Sequence, residues 1–327
     1  MKYFYRSFGF LVILLFSCLE IAAQSSNSAV AQNGQLSIEG TKLLNEQGEP
    51  VQLKGMSLFW SQWQPQYYNS ISIDILKADW NVTVVRAAMG IEHGGYLENP
   101  EIEKEKIFNV IDAAIANGIY VIVDWHDHNA EEHTAEAKKF FAEVAKKYGD
   151  YPNLIYETYN EPLDVSWDEV LKPYHEEIIA EIRKFDTDNI IVCGMPNWSQ
   201  DVEEAAKNPI KKQNIAYGLH FYAGTHQEGL MHKAEEAINA GLPIFVTEFG
   251  TTEADGDGKV YKEETQEWMR FMDTHNLSWC NWSIADKDEA SAALLPGTLP
   301  SGLKEHKNIS ESGLFIKSIL RTSSKKN

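Results

Sequence analysis

Cysteine is scarce in this chain: Cys18, Cys193 and Cys280 are the three present among 327 residues. Three thiols so far apart cannot form a four-cysteine zinc site or staple a small disulfide fold, so an apolar core has to hold the protein together. Cys193 and Cys280 each lie in a strand-like run, where buried free thiols are expected. Basic residues are also few, 29 against 48 acidic ones, giving a formal charge of −19. Such a surface repels nucleic acid and anionic membranes and suits neutral partners. Beyond the N-terminus there is no long apolar run, so no membrane-spanning segment of about 20 residues is expected. Repeats, Pro- or Thr-rich linkers and a second block of composition are absent, which points to one domain without an appended module.

The N-terminus is different in kind. Lys2 and Arg6 precede the apolar run from Phe8 to Phe16, and the small residues Ala22 and Ala23 follow. This predicts a signal peptide over residues 1–23 and a secreted or periplasmic protein. Leu15-Phe16-Ser17-Cys18 loosely resembles a bacterial lipobox, so a lipoprotein acylated at Cys18 is the alternative. Residues 24–34, rich in Ser, Asn, Gln and Ala, read as a disordered lead-in. A folded domain is expected over 35–322, with a short tail at 323–327.

Apolar or β-branched runs recur at 51–57, 83–89, 119–125, 153–160, 189–194, 215–222, 243–249 and 277–284, and helical patterns separate them. The helices are expected around 70–79, 101–117, 131–148, 167–185, 199–207, 230–240, 260–275 and 310–320. In the second of these, Ile107, Val110, Ile111, Ala114 and Ile115 form an inward stripe while Glu103, Lys104 and Asn109 face out. Eight strand–helix units in order predict an α/β fold, a (β/α)8 TIM barrel in a single domain. An open doubly wound sheet would want a Gly-rich phosphate turn after its first strand, and Gly55-Met56-Ser57-Leu58-Phe59-Trp60 is not one.

Barrel enzymes place their chemistry at the C-terminal ends of the strands, and here those ends are polar and aromatic. They carry Arg86, Asp124-Trp125-His126-Asp127-His128, Asn160-Glu161, His220-Phe221-Tyr222, Glu248 and Trp282. Two glutamates stand out, in Asn160-Glu161-Pro162 and Thr247-Glu248-Phe249-Gly250. Both sit among apolar neighbours, where a charge needs a partner or a purpose. A glycosidic bond is cut by two carboxyl groups, one protonating the leaving oxygen and one attacking or steering water. Strands four and seven face each other across the barrel, so Glu161 and Glu248 could approach to about 5 Å.

These motifs together resemble the glycoside hydrolase family 5 cellulases, retaining (β/α)8 endoglucanases, over residues 36–320. The resemblance implies that Glu161 is the acid/base and Glu248 the nucleophile. Glu161 would then have to keep its proton at neutral pH, which an apolar setting and the nearby Glu248 would favour; Arg86 and the Tyr222 hydroxyl would keep Glu248 ionised. By resemblance, Asn160 holds the 2-hydroxyl of the sugar at the cleavage site, and His126 and His220 hydrogen-bond substrate and carboxylates. Trp282 resembles the platform under the cleaved sugar, Trp63 one on the non-reducing side, and Trp198 one on the leaving-group side. Lys287 resembles a residue reaching a more distant sugar. The substrate implied is a β-glucan polysaccharide, with cellulose first and xyloglucan, mannan or mixed-linkage glucan as alternatives. A monomer without cofactor or metal is expected. One departure stands out: Phe59 occupies the place where many relatives carry a histidine.

A metal-dependent barrel amidohydrolase is the rival, since His126-Asp127-His128 with His133 has ligand-like spacing, yet Asn160, Tyr222 and Trp282 supply no further ligands. Asp255-Gly256-Asp257-Gly258-Lys259 hints at calcium but lacks the oxygen ligands of an EF-hand at Lys259 and Gln266, and reads as a loop beside the cleft. A non-catalytic glycan-binding protein would keep the tryptophans and lose a glutamate; both glutamates are present.

Overall fold

The computed structural model describes residues 28–323. The expected signal peptide, Cys18 and most of the tail lie outside the described residues. Eight parallel strands close into a barrel in sequence order: β3 (Lys54–Leu58), β4 (Val84–Gly90), β5 (Tyr120–His126), β6 (Leu154–Glu157), β7 (Ile190–Cys193), β8 (Ile215–Tyr222), β9 (Ile244–Gly250) and β10 (Trp279–Ile284). Each falls on one of the eight runs read from the sequence. A parallel strand is buried on both faces, which is why these segments read as nearly continuous apolar runs.

The return helices pack outside, including α3 (Pro100–Asn117), α4 (Thr134–Tyr148), α5 (Lys172–Ile182), α7 (Glu228–Asn239), α8 (Lys262–His275) and α9 (Glu311–Ser323). Shorter pieces, α2 (Ser70–Ile75) and α6 (Val202–Lys207), fill the other positions. The stripe on α3 is buried as expected at Ile107, Val110, Ile111 and Ala114. Glu103 corrects the pattern: it is buried, because the Ser61 hydroxyl donates to one of its oxygens and Lys106 Nζ pairs with the other at 2.5 Å. No helix among the described residues is long and apolar enough to cross a membrane.

The N-terminal half of the barrel is filled by Val84, Tyr120, Ile122, Ile155, Ile190, Val192, Ala216, Phe245 and Cys280. A small antiparallel hairpin, β1 (Ser37–Glu39) with β2 (Lys42–Leu44), closes that end with Leu36, Leu43, Val51 and Leu53. The segment read as a disordered lead-in is ordered from Ser28 onward. It forms α1 (Ala29–Asn33), capped by the Ser28 hydroxyl on Ala31 N–H at 3.2 Å and tied by Val30 N–H to the Gly118 carbonyl at 2.9 Å. Ala29 is buried, Val30 packs against the same cluster and the Tyr120 hydroxyl donates to Gly34 O at 2.7 Å, so the segment is held by backbone hydrogen bonds together with these small apolar contacts. Cys193 and Cys280 are free and buried.

Candidate active site

Inward-facing residues recur every second position along a strand. Two steps beyond Val84, Ile122 and Ile155 stand Arg86, Asp124 and Glu157, each fully buried. The apolar floor of the barrel thus gives way to a charged layer beneath the mouth. Arg86 organises it. Its Nε donates to Glu157 Oε2 at 2.6 Å, Nη1 to Glu248 Oε2 at 2.8 Å, and Nη2 to Asn160 Oδ1 at 2.7 Å. Nη2 also lies 2.9 Å from Asp124 Oδ2. A buried guanidinium is tolerable only when its donors meet anions in this way, and the three carboxylates hold it charged against the cost of burial.

The carboxyls respond differently. Burial pulls Glu157 up, but Arg86 and His220 outweigh it, so Glu157 stays below the usual carboxylate range. Asp124 goes the other way: burial, with Glu157 and Glu248 adding to it, exceeds the pull of Arg86. His126 Nδ1 lies 2.6 Å from Asp124 Oδ2, and burial followed by Arg86 keeps this imidazole neutral.

Glu248 reaches the mouth by a register shift. Gly218 pairs with Phe245, yet His220 pairs with Glu248, so β9 carries one more residue than β8 across this stretch. A bulge of this kind turns a side chain from one face of the sheet to the other. Glu248 Oε2 accepts from Arg86 and Oε1 from the Tyr222 hydroxyl at 2.8 Å. Both partners favour the ionised form of Glu248 as expected, but burial and then the neighbouring Glu161 outweigh them and His220, and its carboxyl lies above the ordinary range.

Glu161, in the loop after β6, is not in an apolar setting. Its side chain is 15% exposed, and its Oε1 lies 2.9 Å from His220 Nδ1. His220 Nε2 donates to Thr247 Oγ1 at 2.9 Å and lies 3.5 Å from Glu157 Oε1. Burial works against charge on this ring, but hydrogen bonds to Glu157 and Glu161 and the charge of Glu248 raise it to about 9. At neutral pH His220 is therefore an imidazolium between carboxylates. His128, half-exposed, holds the Glu161 carbonyl through Nδ1 at 3.0 Å.

Ligand atoms of Glu161, His220 and Glu248 lie within 4.8 Å of one another, the one group among the described residues with metal-like geometry. The donor set does not fit a cation, because a protonated His220 donates from both nitrogens and has no lone pair to give. The rival histidine cluster is dispersed: Nδ1 of His126, His128 and His133 turns to Asp124, the Glu161 carbonyl and Asp127 respectively. The 253–258 loop closes on itself, with Asp257 N–H on Asp255 Oδ1 at 3.0 Å and Glu253 Oε1 accepting from the Tyr261 hydroxyl at 2.7 Å.

Aromatic residues line the mouth. Trp282, at the end of β10, stacks flat on His126 at 5.2 Å and 6°, and Phe59 packs against it at 5.1 Å. Trp60 meets the edge of His126 at 4.1 Å, and Trp63 lies beside Trp60 at 5.0 Å. Trp63 is 51% exposed and Trp198, in the loop after β7, 45% exposed. Lys287 extends over the Phe59 ring at 5.6 Å and is ion-paired with Glu289. The structure thus brings Arg86, His126, Asn160, Glu161, His220, Tyr222 and Glu248 into one hydrogen-bonded cluster with Trp282 against it. Trp63, Trp198 and Lys287 stand on the loops around it. Sequence reasoning missed Glu157 and gave no role to Asp124. Counting inward by two from Ile122 and Ile155 would have found both.

The sequence profile of the family described as cellulase (glycosyl hydrolase family 5) matches residues 44–288. Endoglucanase Z of Dickeya dadantii is 47% identical over 318 residues, covering 94% of this chain and 72% of that protein. A structure from Cytophaga hutchinsonii, 51% identical, superposes with a TM-score of 0.91 over 92% of this chain and 98% of that one. The catalytic domain of a Thermobifida fusca endoglucanase, solved in complex with cellotetraose, is 35% identical with a TM-score of 0.87, covering 90% of this chain and all of that one. A closed eight-stranded barrel, a buried arginine paired with Glu248 at its mouth and a match across most of the barrel agree: the chain is a glycoside hydrolase and belongs to glycosyl hydrolase family 5, the cellulases.

Proposed function

We propose that this chain is an exported, retaining endo-β-1,4-glucanase that cuts internal bonds of cellulose or a related β-glucan. The observation that carries the reading is the carboxylate pair, with oxygens of Glu161 and Glu248 within 4.8 Å. A separation of no more than that suits the close-set pair, roughly 5 Å apart, of retaining enzymes and is short of the roughly 6.5–9.5 Å that leaves room for water in inverting ones. In the first step a Glu248 oxygen bonds to the anomeric carbon as the bond to the leaving sugar breaks, and Glu161 gives its proton to the departing oxygen. In the second step Glu161 takes a proton from water, the water oxygen attacks the same carbon, and Glu248 leaves as carboxylate.

The surroundings fit these roles. Arg86 and Tyr222 each hold one oxygen of Glu248, which aims it and accepts the charge that returns when the ester is cleaved. Arg86 takes the Oδ1 of Asn160, so the amide NH2 is turned away from the guanidinium and serves as donor for a sugar 2-hydroxyl. His220 passes a hydrogen bond to Glu161 and so orients it. Half-exposed Trp63, on the loop after β3, and Trp198, on the loop after β7, offer flat apolar faces on which sugar rings can stack; with the two assigned by resemblance to opposite sides of the pair, this supports an open groove and cleavage inside chains. The relative bound to cellotetraose supports a β-glucan substrate. NMR of the first products from a β-glucan should show the β-anomer before mutarotation; the α-anomer would rule out double displacement. Viscosity of the polymer should drop before much reducing sugar appears.

A further inference from the structure

The loop after β7 holds three consecutive non-glycine residues in the left-handed region, Asn197, Trp198 and Ser199, with φ of 56°, 55° and 56°. Left-handed backbone crowds Cβ against the following carbonyl, and L-residues visit it singly, asparagine most readily. A run of three that includes tryptophan is strained, and such strain persists where the surroundings over-determine it.

The surroundings here are the segment that carries Glu161. Trp198 N–H donates to the Pro162 carbonyl at 2.8 Å and Asn197 N–H to the Leu163 carbonyl at 3.0 Å. The Ser199 hydroxyl, fully buried, donates to the Asn160 carbonyl at 2.9 Å and accepts Met195 N–H at 3.1 Å. Gly194, at the root of the turn, is pressed on the same stretch: a Cβ there would stand 2.2 Å from the Tyr159 carbonyl oxygen and 3.1 Å from Pro162 Cδ. Contacts from 194–199 thus converge on 159–163.

We propose that this left-handed turn is a clamp that fixes the Trp198 platform and the Glu161 carboxyl as one rigid unit, with Ser199 as its positioning residue. The inference rests on the reading of Glu161 as acid/base. A sugar stacked on Trp198 presents its glycosidic oxygen to Glu161, and proton transfer needs the two heavy atoms about 2.6–3.2 Å apart. Trp198 and Glu161 belong to different strand–helix units, so the hydrogen bonds across the loops set their spacing. Ser199 provides the side-chain member of that set, and its removal leaves a buried carbonyl and a buried N–H without it.

The test compares cellotetraose with an aryl β-cellobioside whose phenolate departs without protonation, in the wild type and in Ser199→Ala, Ser199→Gly and Glu161→Gln. Glu161→Gln should fail on cellotetraose and keep most of its kcat/KM on the aryl substrate, where only kcat falls because the second step still lacks its base; this checks the acid/base reading by itself. Ser199→Ala should lose about tenfold or more in kcat/KM on cellotetraose and stay within about twofold on the aryl substrate. Ser199→Gly lacks the hydroxyl but takes positive φ without strain, so it should show the same split with a higher melting temperature than Ser199→Ala, and it carries the test if the alanine variant fails to fold. A merely structural Ser199 would lower both substrates alike. Equal losses, or none, in the Ser199 variants while Glu161→Gln keeps its split would overturn the clamp and leave the acid/base reading intact; no split in Glu161→Gln would overturn both.

Discussion

His220 gives the protein a pH-dependent stability that can be worked out in advance. An ordinary imidazole titrates near 6.5, whereas His220 is raised to about 9 by its carboxylate neighbours. At roughly 1.4 kcal/mol per tenfold change in proton affinity, that difference amounts to about 3 kcal/mol favouring the folded state. The sign follows from the direction. Because the folded value lies above the unfolded one, the contribution is fully present below about pH 6.5 and is lost as pH rises through about 9. His220→Gln keeps a polar side chain but cannot be charged, so it lacks the contribution at every pH. Urea unfolding of wild type and variant at pH 6, 7.5 and 9.5 isolates the effect, since titration elsewhere in the chain cancels in the comparison. The stability gap between the two proteins should narrow by about 3 kcal/mol from pH 6 to pH 9.5. A gap that stays constant over that range would refute an imidazolium at His220 and the charge balance built around it.

Further outcomes follow from the same cluster. Arg86→Met strips the guanidinium from Asp124, Glu157 and Glu248 and should destabilise the fold by about 3–5 kcal/mol, read as a lower urea midpoint. Tyr222→Phe removes a hydrogen bond to ionised Glu248, so the acid limb of the kcat/KM profile should move to higher pH; a shift to lower pH would contradict that direction. Prolonged dialysis against EDTA should leave activity unchanged, and recovery only on adding zinc or manganese would reinstate a metal at the mouth. Trp198→Ala and Trp63→Ala should shift the cleavage pattern of cello-oligosaccharides in opposite directions along the chain, as seen by chromatography of early products.

The barrel was legible because its eight strands, β3 to β10, are buried almost throughout and so announce themselves as largely apolar runs. The two glutamates were legible for a related reason: each follows such a run directly. What escaped the sequence depends on contacts between distant segments. The stretch 24–34 is rich in Ser, Asn and Gln, and nothing local reveals that Gly118 and Tyr120 hold the backbone around α1. Residues 199–207 read as one helix, but the left-handed turn at Asn197–Ser199 delays α6 to Val202, because cross-loop bonds to Pro162 and Leu163 override local preference. Glu103 looked like a surface charge, but Ser61 approaches it from the loop after β3 while Lys106, one turn along the same helix, takes its other oxygen. The expected apolar pocket around Glu161 failed likewise, because Ile155 and Tyr156 flank it in sequence while His220 and His128 flank it in space.

The claim on which the rest depends is that Glu248 forms a covalent bond to the sugar. A 2-deoxy-2-fluoro-β-cellobioside with a good leaving group tests it, since the fluorine slows cleavage of the glycosyl-enzyme and the leaving group dispenses with the proton from Glu161. Peptide mass spectrometry of the inactivated protein should find one fluorocellobiosyl group attached to Glu248. Attachment to Glu161, or turnover with no covalent adduct on either glutamate, would contradict the account.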